Sequence, residues 1–441
     1  MALSFHTPGE TSSGKALVIH PVIAQKATGR DLDETLEEAA GLARAIHLEV
    51  LDVRTAKVIR INPALFLGKG TAENLGTEIS NLKPDVVIFN HNLSPVQQRN
   101  LEKQWNAKVI DRTGLILEIF GERAQTREGT IQVELAALEY QKSRLVKSWS
   151  HLERQRGGLG KTGGPGERQI ELDRRIIADR ISQLKKDLEK VRKTRELGRK
   201  ARERVPYPII ALVGYTNAGK STLFNRLTGA GAFAEDLPFA TLDPTLRKIK
   251  LPTGQEAILS DTVGFISDLP THLVASFRAT LEQVQAADVI LHVRDYARAD
   301  TEAQKQDVID ILNDLGIEYE TDERIFEVLN KIDIRKEPVA YMSEYSFPVS
   351  AVTGEGIELL LKEIATYLSR KRTSEVYMLA AEEGKALAWL HAHGDVLHQE
   401  TVDEGIQLEV RLEPRDIQKF YKSFGHYPVG YQPEEESYAN A

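Results

Sequence analysis

Gly214-Tyr215-Thr216-Asn217-Ala218-Gly219-Lys220-Ser221, with Thr222 behind it, fits G-x-x-x-x-G-K-[ST] and follows directly on the apolar run Ile209 to Val213. A buried strand, a glycine-rich turn and a helix over Thr222 to Leu227 form the context in which this pattern binds phosphate. Glycines let backbone N–H groups wrap the phosphates at the helix N-terminus. Lys220 brings charge to the β- and γ-phosphates, and the Ser221 hydroxyl is a ligand for Mg²⁺. Alone, the motif leaves ATPases, kinases and GTPases open.

The base is read further along. Asn330-Lys331-Ile332-Asp333 follows the apolar run Ile325 to Leu329, at a strand's C-terminal end, where doubly wound sheets bind ligands. A carboxylate at Asp333 accepts from both N1–H and the exocyclic amine of guanine. Adenine, with an acceptor at N1, leaves it unpaired, so GTP is expected over ATP. Ser350, Ala351 and Val352, after the strand signal Ser346 to Val349, complete the base pocket. Between these motifs, Asp261-Thr262-Val263-Gly264 fits D-x-x-G, the second switch, with Asp261 near Mg²⁺ and the Gly264 amide on the γ-phosphate. Phe239-Ala240-Thr241-Leu242-Asp243-Pro244-Thr245 stands where the first switch belongs, and Thr241 is preferred to Thr245 as the threonine that closes on Mg²⁺.

Phe265 follows Gly264, where many GTPases carry the glutamine that orients the attacking water. Transition-state stabilisation is left to Lys220 and the Gly264 amide, and unaided hydrolysis is expected to be slow. Asn217 sits at a loop position where other GTPases bind potassium, so K⁺ joins Mg²⁺ among the expected cofactors. Gly160-Lys161-Thr162 and Gly68-Lys69-Gly70-Thr71 imitate a P-loop ending. Gln155 and Pro63 stand where the first glycine is required, so neither reads as a second site. His391, His393 and His398 have no cysteines and little acidic support around them, and read as solvent or packing histidines.

The chain has 441 residues, too many for one ordinary core, no cysteine, and no apolar run near the roughly 18 residues that span a membrane. The first ten residues do not read as a secretory signal, so a cytoplasmic protein, monomeric and without membrane insertion, is expected. Net charge is -8, yet Lys142 to Arg204 holds 20 basic against 9 acidic residues. The bland reading of that run is a solvated helix face; the sharper one is a phosphate-contacting surface.

The pattern predicts an α/β protein with a P-loop G domain, a mixed, mostly parallel sheet with helices on both faces. An α/β N-terminal domain with a long helical hairpin precedes it and a small α+β domain follows. The expected boundaries are 15–130 for the N-terminal domain, 131–204 for an antiparallel hairpin with a basic glycine-rich loop, 205–370 for the G domain and 375–425 for the C-terminal domain, with a disordered tail over 426–441. Ser94-Pro95 supplies a helix cap and a first-turn proline, and Lys371-Arg372-Thr373-Ser374 reads as a polar linker.

Several longer strings carry a resemblance: Ser94-Pro95-Val96-Gln97-Gln98-Arg99-Asn100-Leu101-Glu102, Ile110-Asp111-Arg112-Thr113, Gln132-Val133-Glu134-Leu135, Gly164-Pro165-Gly166-Glu167, Asp173-Arg174-Arg175 and the Phe239 to Thr245 segment. Together with the G motifs they resemble the HflX family of translational GTPases, from about Leu17 to about Ile364. Lys161-Thr162-Gly163 departs from that family's shorter basic run and blurs the loop contact. The resemblance implies a protein that binds the large ribosomal subunit, brings its N-terminal domain and glycine-rich loop near the peptidyl-transferase region, and splits stalled ribosomes under stress. It also implies an association with ribosomes or a membrane surface, and an apolar residue at position 265. Arg154, Arg156, Lys161 and Arg168 become candidates for ribosomal RNA contacts. Two alternatives stay open. One is a regulatory GTPase acting on a protein or membrane-surface partner. The other, which only the resemblance implies, is an ATP-driven nucleic-acid enzyme, for which no second nucleotide motif is found.

Overall fold

The computed structural model describes residues 14–24, 30–153, 165–202, 207–229, 238–239, 241, 245–267, 283–335, 345–370, 373–402, 405–412 and 414–429. They fall into two compact units. The first is Met1–Glu203, Ile209–Ile249 and Ala257–Ile357; the second is Arg204–Pro208, Lys250–Glu256 and Glu358–Ala441.

The first unit opens with a parallel sheet of β1 (Lys15–Ile23), β2 (Glu49–Val58), β3 (Val86–Phe89) and β4 (Lys108–Asp111), in the order β2-β1-β3-β4. Helices α1 (Leu32–Arg44), α2 (Lys69–Leu82), α3 (Pro95–Trp105) and α4 (Arg112–Arg123) connect and flank the strands. Side chains alternate across a strand, and in β1 that alternation divides the core. Leu17 and Ile19 join Leu75, Ile79, Leu101 and Trp105 of α2 and α3. Ala16 and Val18 join Ala39, Leu42 and Ala43 of α1 and Leu115, Ile116 and Phe120 of α4. Apolar strands covered on both faces are what a parallel sheet requires. Ser94 caps α3 with a full capping box to Gln97, and Pro95 takes the first helical position, as the sequence led one to expect.

Helices α5 (Arg127–Glu153) and α6 (Pro165–Arg202) pack on each other, with Arg180 bound to Glu134 and Lys185 to Glu139. α5 is bolted to the sheet domain by Asp111, which is 1% exposed. Its carboxylate accepts from Leu93 N at 3.1 Å, Gly114 N at 2.9 Å, Tyr140 Oη at 2.5 Å and Arg144 Nη2 at 2.5 Å. One side chain thus caps α4 and fixes α5.

The G-domain sheet runs β10-β9-β8-β5-β7-β6, built from β5 (Ile209–Val213), β6 (Thr245–Lys250), β7 (Glu256–Asp261), β8 (Val289–Asp295), β9 (Ile325–Asn330) and β10 (Ser346–Pro348). The pairs β5 with β7, β5 with β8, β8 with β9 and β9 with β10 are parallel. Helix α7 (Lys220–Thr228) follows β5 and α8 (Thr301–Asp314) follows β8. The α1/α4 face of the N-terminal domain and the G domain share one continuous apolar cluster, which includes Tyr215, Phe239, Val263, Phe265 and Ile266.

In the second unit, after α9 (Ile357–Arg370), lie β11 (Thr373–Leu379), α10 (Gly384–His393), β12 (Asp395–Val402), β13 (Gly405–Leu412) and α11 (Pro414–Phe424). The antiparallel sheet β11-β13-β12 and the two helices enclose Tyr377, Leu379, Leu390, Leu408, Val410, Leu412, Ile417 and Phe420. Thr373 and Ser374, read from sequence as linker, belong to β11 opposite Leu412 and Arg411, because ladder hydrogen bonds override their polar side chains. His391, His393 and His398 bind Gln399, the Trp389 carbonyl and Glu400, three separate partners.

Replacing Asp111 by Ala takes the carboxylate away from the half-buried Arg144 guanidinium, the Tyr140 hydroxyl and two amides, and is expected to lower unfolding free energy by about 3 kcal/mol. Chemical denaturation of the full chain reads this directly, and a loss below about 1 kcal/mol contradicts the role given to this carboxylate.

Candidate nucleotide site

β5 delivers the chain to Gly214, whose φ is +150° and where a Cβ would lie 2.1 Å from the Val293 carbonyl oxygen of β8. The loop turns through Asn217 at φ +60° to Gly219 at φ +91°, where a Cβ would lie 2.2 Å from Asn330 Nδ2. Glycine is required at both ends for two reasons at once, positive-φ backbone and the close approach of a neighbour, the β8 backbone at Gly214 and the Asn330 amide at Gly219. Among the described residues no side chain caps the α7 N-terminus, and no acidic residue occupies its first turn, which suits the binding of anions there.

Lys220 is 6% exposed and folds back on the loop, donating to Tyr215 O at 2.6 Å and Gly214 O at 3.1 Å. Burial pushes its ammonium down to about 8, with Lys331 adding to the effect and Asp261 opposing it. A buried cation lying among carbonyls is poised for an anionic ligand that restores its charge balance.

Three oxygens converge beside it. Ser221 Oγ lies 2.8 Å from Asp261 Oδ2, and Thr241 Oγ1 lies 2.9 Å from both Ser221 Oγ and Asp261 Oδ2. Asp261 is 2% exposed, and burial raises its pKa against the pull of Lys220 and the two hydroxyls. Its Oδ1 is buried with no hydrogen-bond partner among the described residues. Two hydroxyls and a carboxylate with an unused oxygen make a hard-cation donor set. Thr241, not Thr245, is the threonine brought here, since Thr245 begins β6.

The second switch is zipped to the loop by backbone. Phe265 N donates to Gly214 O at 3.0 Å and Thr216 N donates to Phe265 O at 2.7 Å. A Cβ on Gly264 would stand 2.9 Å from Thr216 Cα and 3.0 Å from Lys220 Nζ. Thr262 Oγ1 donates to the Leu212 carbonyl. Phe265 is 4% exposed within the shared apolar cluster, so the residue at the usual glutamine position is a core residue.

The base-reading segments meet at the ends of β9 and β10. Asn330 Nδ2 donates to Ala218 O at 2.9 Å, while its Oδ1 accepts from Ala351 N at 3.0 Å. One amide therefore spans phosphate loop and base loop. Lys331, at φ +67°, binds Asp295 at 2.7 Å, and Asp333 is exposed beyond Ile332. Ser350 Oγ accepts from Thr353 N at 3.0 Å, and Arg226 donates to Val352 O at 3.0 Å. Ala240, Leu242 and Asp243 of the first switch, and Arg154, Arg156 and Lys161 of the hairpin loop, lie outside the described residues, as does the side chain of Arg168 in α6.

Sequence reasoning missed a polar cluster between the loop and the N-terminal domain. Tyr215 Oη donates to Glu38 Oε2 at 2.6 Å and accepts from Ser267 N at 3.0 Å and Arg30 Nη1 at 3.2 Å. Arg112 joins Glu38 at 2.6 Å, Asn90 at 2.7 Å and Ser267 Oγ at 3.0 Å. Arg298 reaches Glu34 at 2.6 Å, and Arg30 pairs with Asp307. Arg112 stands in one of the family-like strings, which was its only signal.

Comparison with known proteins settles the family. Residues 33–121 match the family described as GTP-binding GTPase N-terminal and residues 123–202 the GTP-binding GTPase middle region. Residues 209–331 match 50S ribosome-binding GTPase, and 337–436 the HflX C-terminal domain. GTPase HflX of Magnetococcus marinus is 48% identical over 90% of this chain and 91% of its own length. GTPase HflX of Escherichia coli K12 is 40% identical over 92% and 96%. The chain belongs to the HflX family of GTPases. Among solved structures, SsGBP in complex with GDP covers 81% of this chain and 99% of its own, at 23% identity and a TM-score of 0.48. As an HflX-family GTPase the protein binds GTP and GDP and hydrolyses GTP. No described helix is long and apolar enough to cross a membrane.

Two measurements test the site. Gly219→Ala, strained at φ +91° and pressed into Asn330, is expected to weaken binding of a fluorescent GDP by at least about a hundredfold while the chain stays folded by circular dichroism. Lys220 gives a proton signature. Its folded value of about 8 lies below that of an unfolded lysine, so the free protein gains stability as pH rises from about 8 toward the ordinary lysine range. Bound phosphates favour the charged form, so nucleotide binding at pH 9 is expected to take up most of one proton. Calorimetry in buffers of differing ionisation enthalpy measures that uptake, and Lys220→Arg should abolish it.

Proposed function

We propose that this HflX-family GTPase acts on the large ribosomal subunit, coupling GTP binding and hydrolysis to dissociation or rescue of stalled ribosomes. The observation that carries the reading is the match of residues 209–331, which hold the phosphate loop and both switches, to the family described as 50S ribosome-binding GTPase. The charge of Lys142 to Arg204 supports it, because ribosomal RNA offers phosphates to a basic hairpin. Arg154, Arg156, Lys161 and Arg168 are the proposed RNA contacts.

At the nucleotide, Ser221, Thr241 and Asp261 would hold Mg²⁺, which supplies positive charge opposite the β- and γ-phosphates. Lys220 leaves the Tyr215 and Gly214 carbonyls for the phosphate oxygens, and the Gly264 amide donates to the γ-phosphate. Exposed Asp333 accepts the two guanine N–H groups, with Asn330 holding base loop and phosphate loop in register. Asn217, exposed at φ +60°, is the proposed contact for a stimulating K⁺. With Phe265 in the core, the group that orients the attacking water comes from outside this loop, and the ribosome is the proposed source.

Multiple-turnover GTP hydrolysis, alone and with purified large subunits, small subunits or naked RNA, tests this with Lys220→Ala as the blank. Selective acceleration by large subunits of at least about tenfold is expected. Equal rates in all four conditions would sink the ribosome as activator.

A further inference from the structure

Phe239 of the first switch has φ +58°. That backbone is rare and strained for a bulky side chain, so the surroundings must hold it. They do: Phe239 is 2% exposed, and its ring meets Phe120 of α4 edge-on, centroids 4.7 Å apart at 81°. Pro238 beside it lies against α1. A Cβ on Gly41 would stand 3.6 Å from Pro238 Cγ and 3.7 Å from its Cδ, ordinary contact that leaves nothing for a longer side chain. Two residues after Phe239 comes Thr241, whose hydroxyl lies 2.9 Å from Ser221 Oγ and from Asp261 Oδ2. Two residues of extended chain reach only about 7 Å, so where the Phe239 ring is seated limits where the Thr241 hydroxyl can be.

We infer that the N-terminal domain is part of the GTP-reading apparatus: Phe120, with the bare helix surface at Gly41, positions Thr241 through Phe239 and Pro238. The inference rests on the reading that Thr241 closes on Mg²⁺ and the γ-phosphate. Phe120 touches no nucleotide and is a positioning residue. Its effect is confined to the triphosphate state, because GDP lacks the γ-phosphate that the threonine loop serves. Packing between two domains is thereby converted into discrimination between GTP and GDP.

The test is equilibrium binding of fluorescent GDP and of a fluorescent non-hydrolysable GTP analogue, in Mg²⁺, to the full chain. Phe120→Ala removes the ring that seats Phe239; Gly41→Leu instead wedges Pro238 away without opening a cavity. Each is expected to weaken the GTP analogue about tenfold while GDP affinity stays within about twofold, and Phe120→Leu, which restores bulk, is expected to recover most of the loss. Equal losses for both nucleotides in Phe120→Ala and Gly41→Leu, or no loss in either, overturn the inference. Should Phe120→Ala not fold, Gly41→Leu decides alone. Thr241→Ala separates the two layers. If it fails to lose the GTP analogue selectively, the reading of Thr241 falls and the inference with it. If it does lose it while the other variants keep it, the inference alone falls.

Discussion

Two backbone hydrogen bonds, Phe265 N to Gly214 O and Thr216 N to Phe265 O, hold the phosphate loop to the second switch, and the rest of the site is arranged around them. They are possible because Gly214 and Gly264 carry no Cβ: one would strike Val293 O, the other Thr216 Cα. With those strands of chain pressed together, Lys220 lies on the loop carbonyls, and Asp261 is buried beside it. The electrostatics follow from the packing. A lysine pushed down to about 8 and a carboxylate pushed upward face each other without enough solvent to screen them, a state that phosphate and a hard cation relieve.

The same zipper turns Phe265 and Ile266 into the cluster shared with α1 and α4, so the nucleotide site and the domain boundary are built from one set of residues. Tyr215 shows this best. Its backbone carbonyl holds Lys220, while its hydroxyl bonds Glu38, Arg30 and the Ser267 amide. Arg112 closes the ring by reaching Glu38 and Ser267 together. Phosphate loop and both switches therefore each touch the N-terminal domain, through Tyr215, Phe239 and Ser267.

What could be read from sequence was whatever depends on neighbours along the chain. The loop Gly214 to Ser221, Asp261 to Gly264 and Asn330 to Asp333 are short strings whose backbone geometry fixes their composition, and Ser94-Pro95 is a local cap. The alternation in β1 was visible as an apolar run, although which face meets which helices was not. The cluster of Glu38, Arg112, Tyr215 and Ser267 joins positions far apart in sequence, and no periodicity or spacing marks such a set. Phe239 illustrates the same limit: its place in a switch string was legible, its seat against Phe120 was not. Thr373 and Ser374 were misjudged because polar, turn-prone residues were weighed without the neighbouring strand that supplies their ladder.

Phe265 carries a consequence for timing. The position that in many GTPases orients water is here occupied by a ring buried in the apolar cluster that also holds Tyr215, Ile266 and residues of α1 and α4, so this side chain serves cohesion. An amide introduced there would replace a buried ring of the apolar cluster and weaken the seam that Phe265 helps to form. On the function proposed above, the group that speeds turnover comes from another molecule, and the lifetime of the triphosphate state would measure how long the protein waits for that encounter, a timer started by loading and stopped by contact.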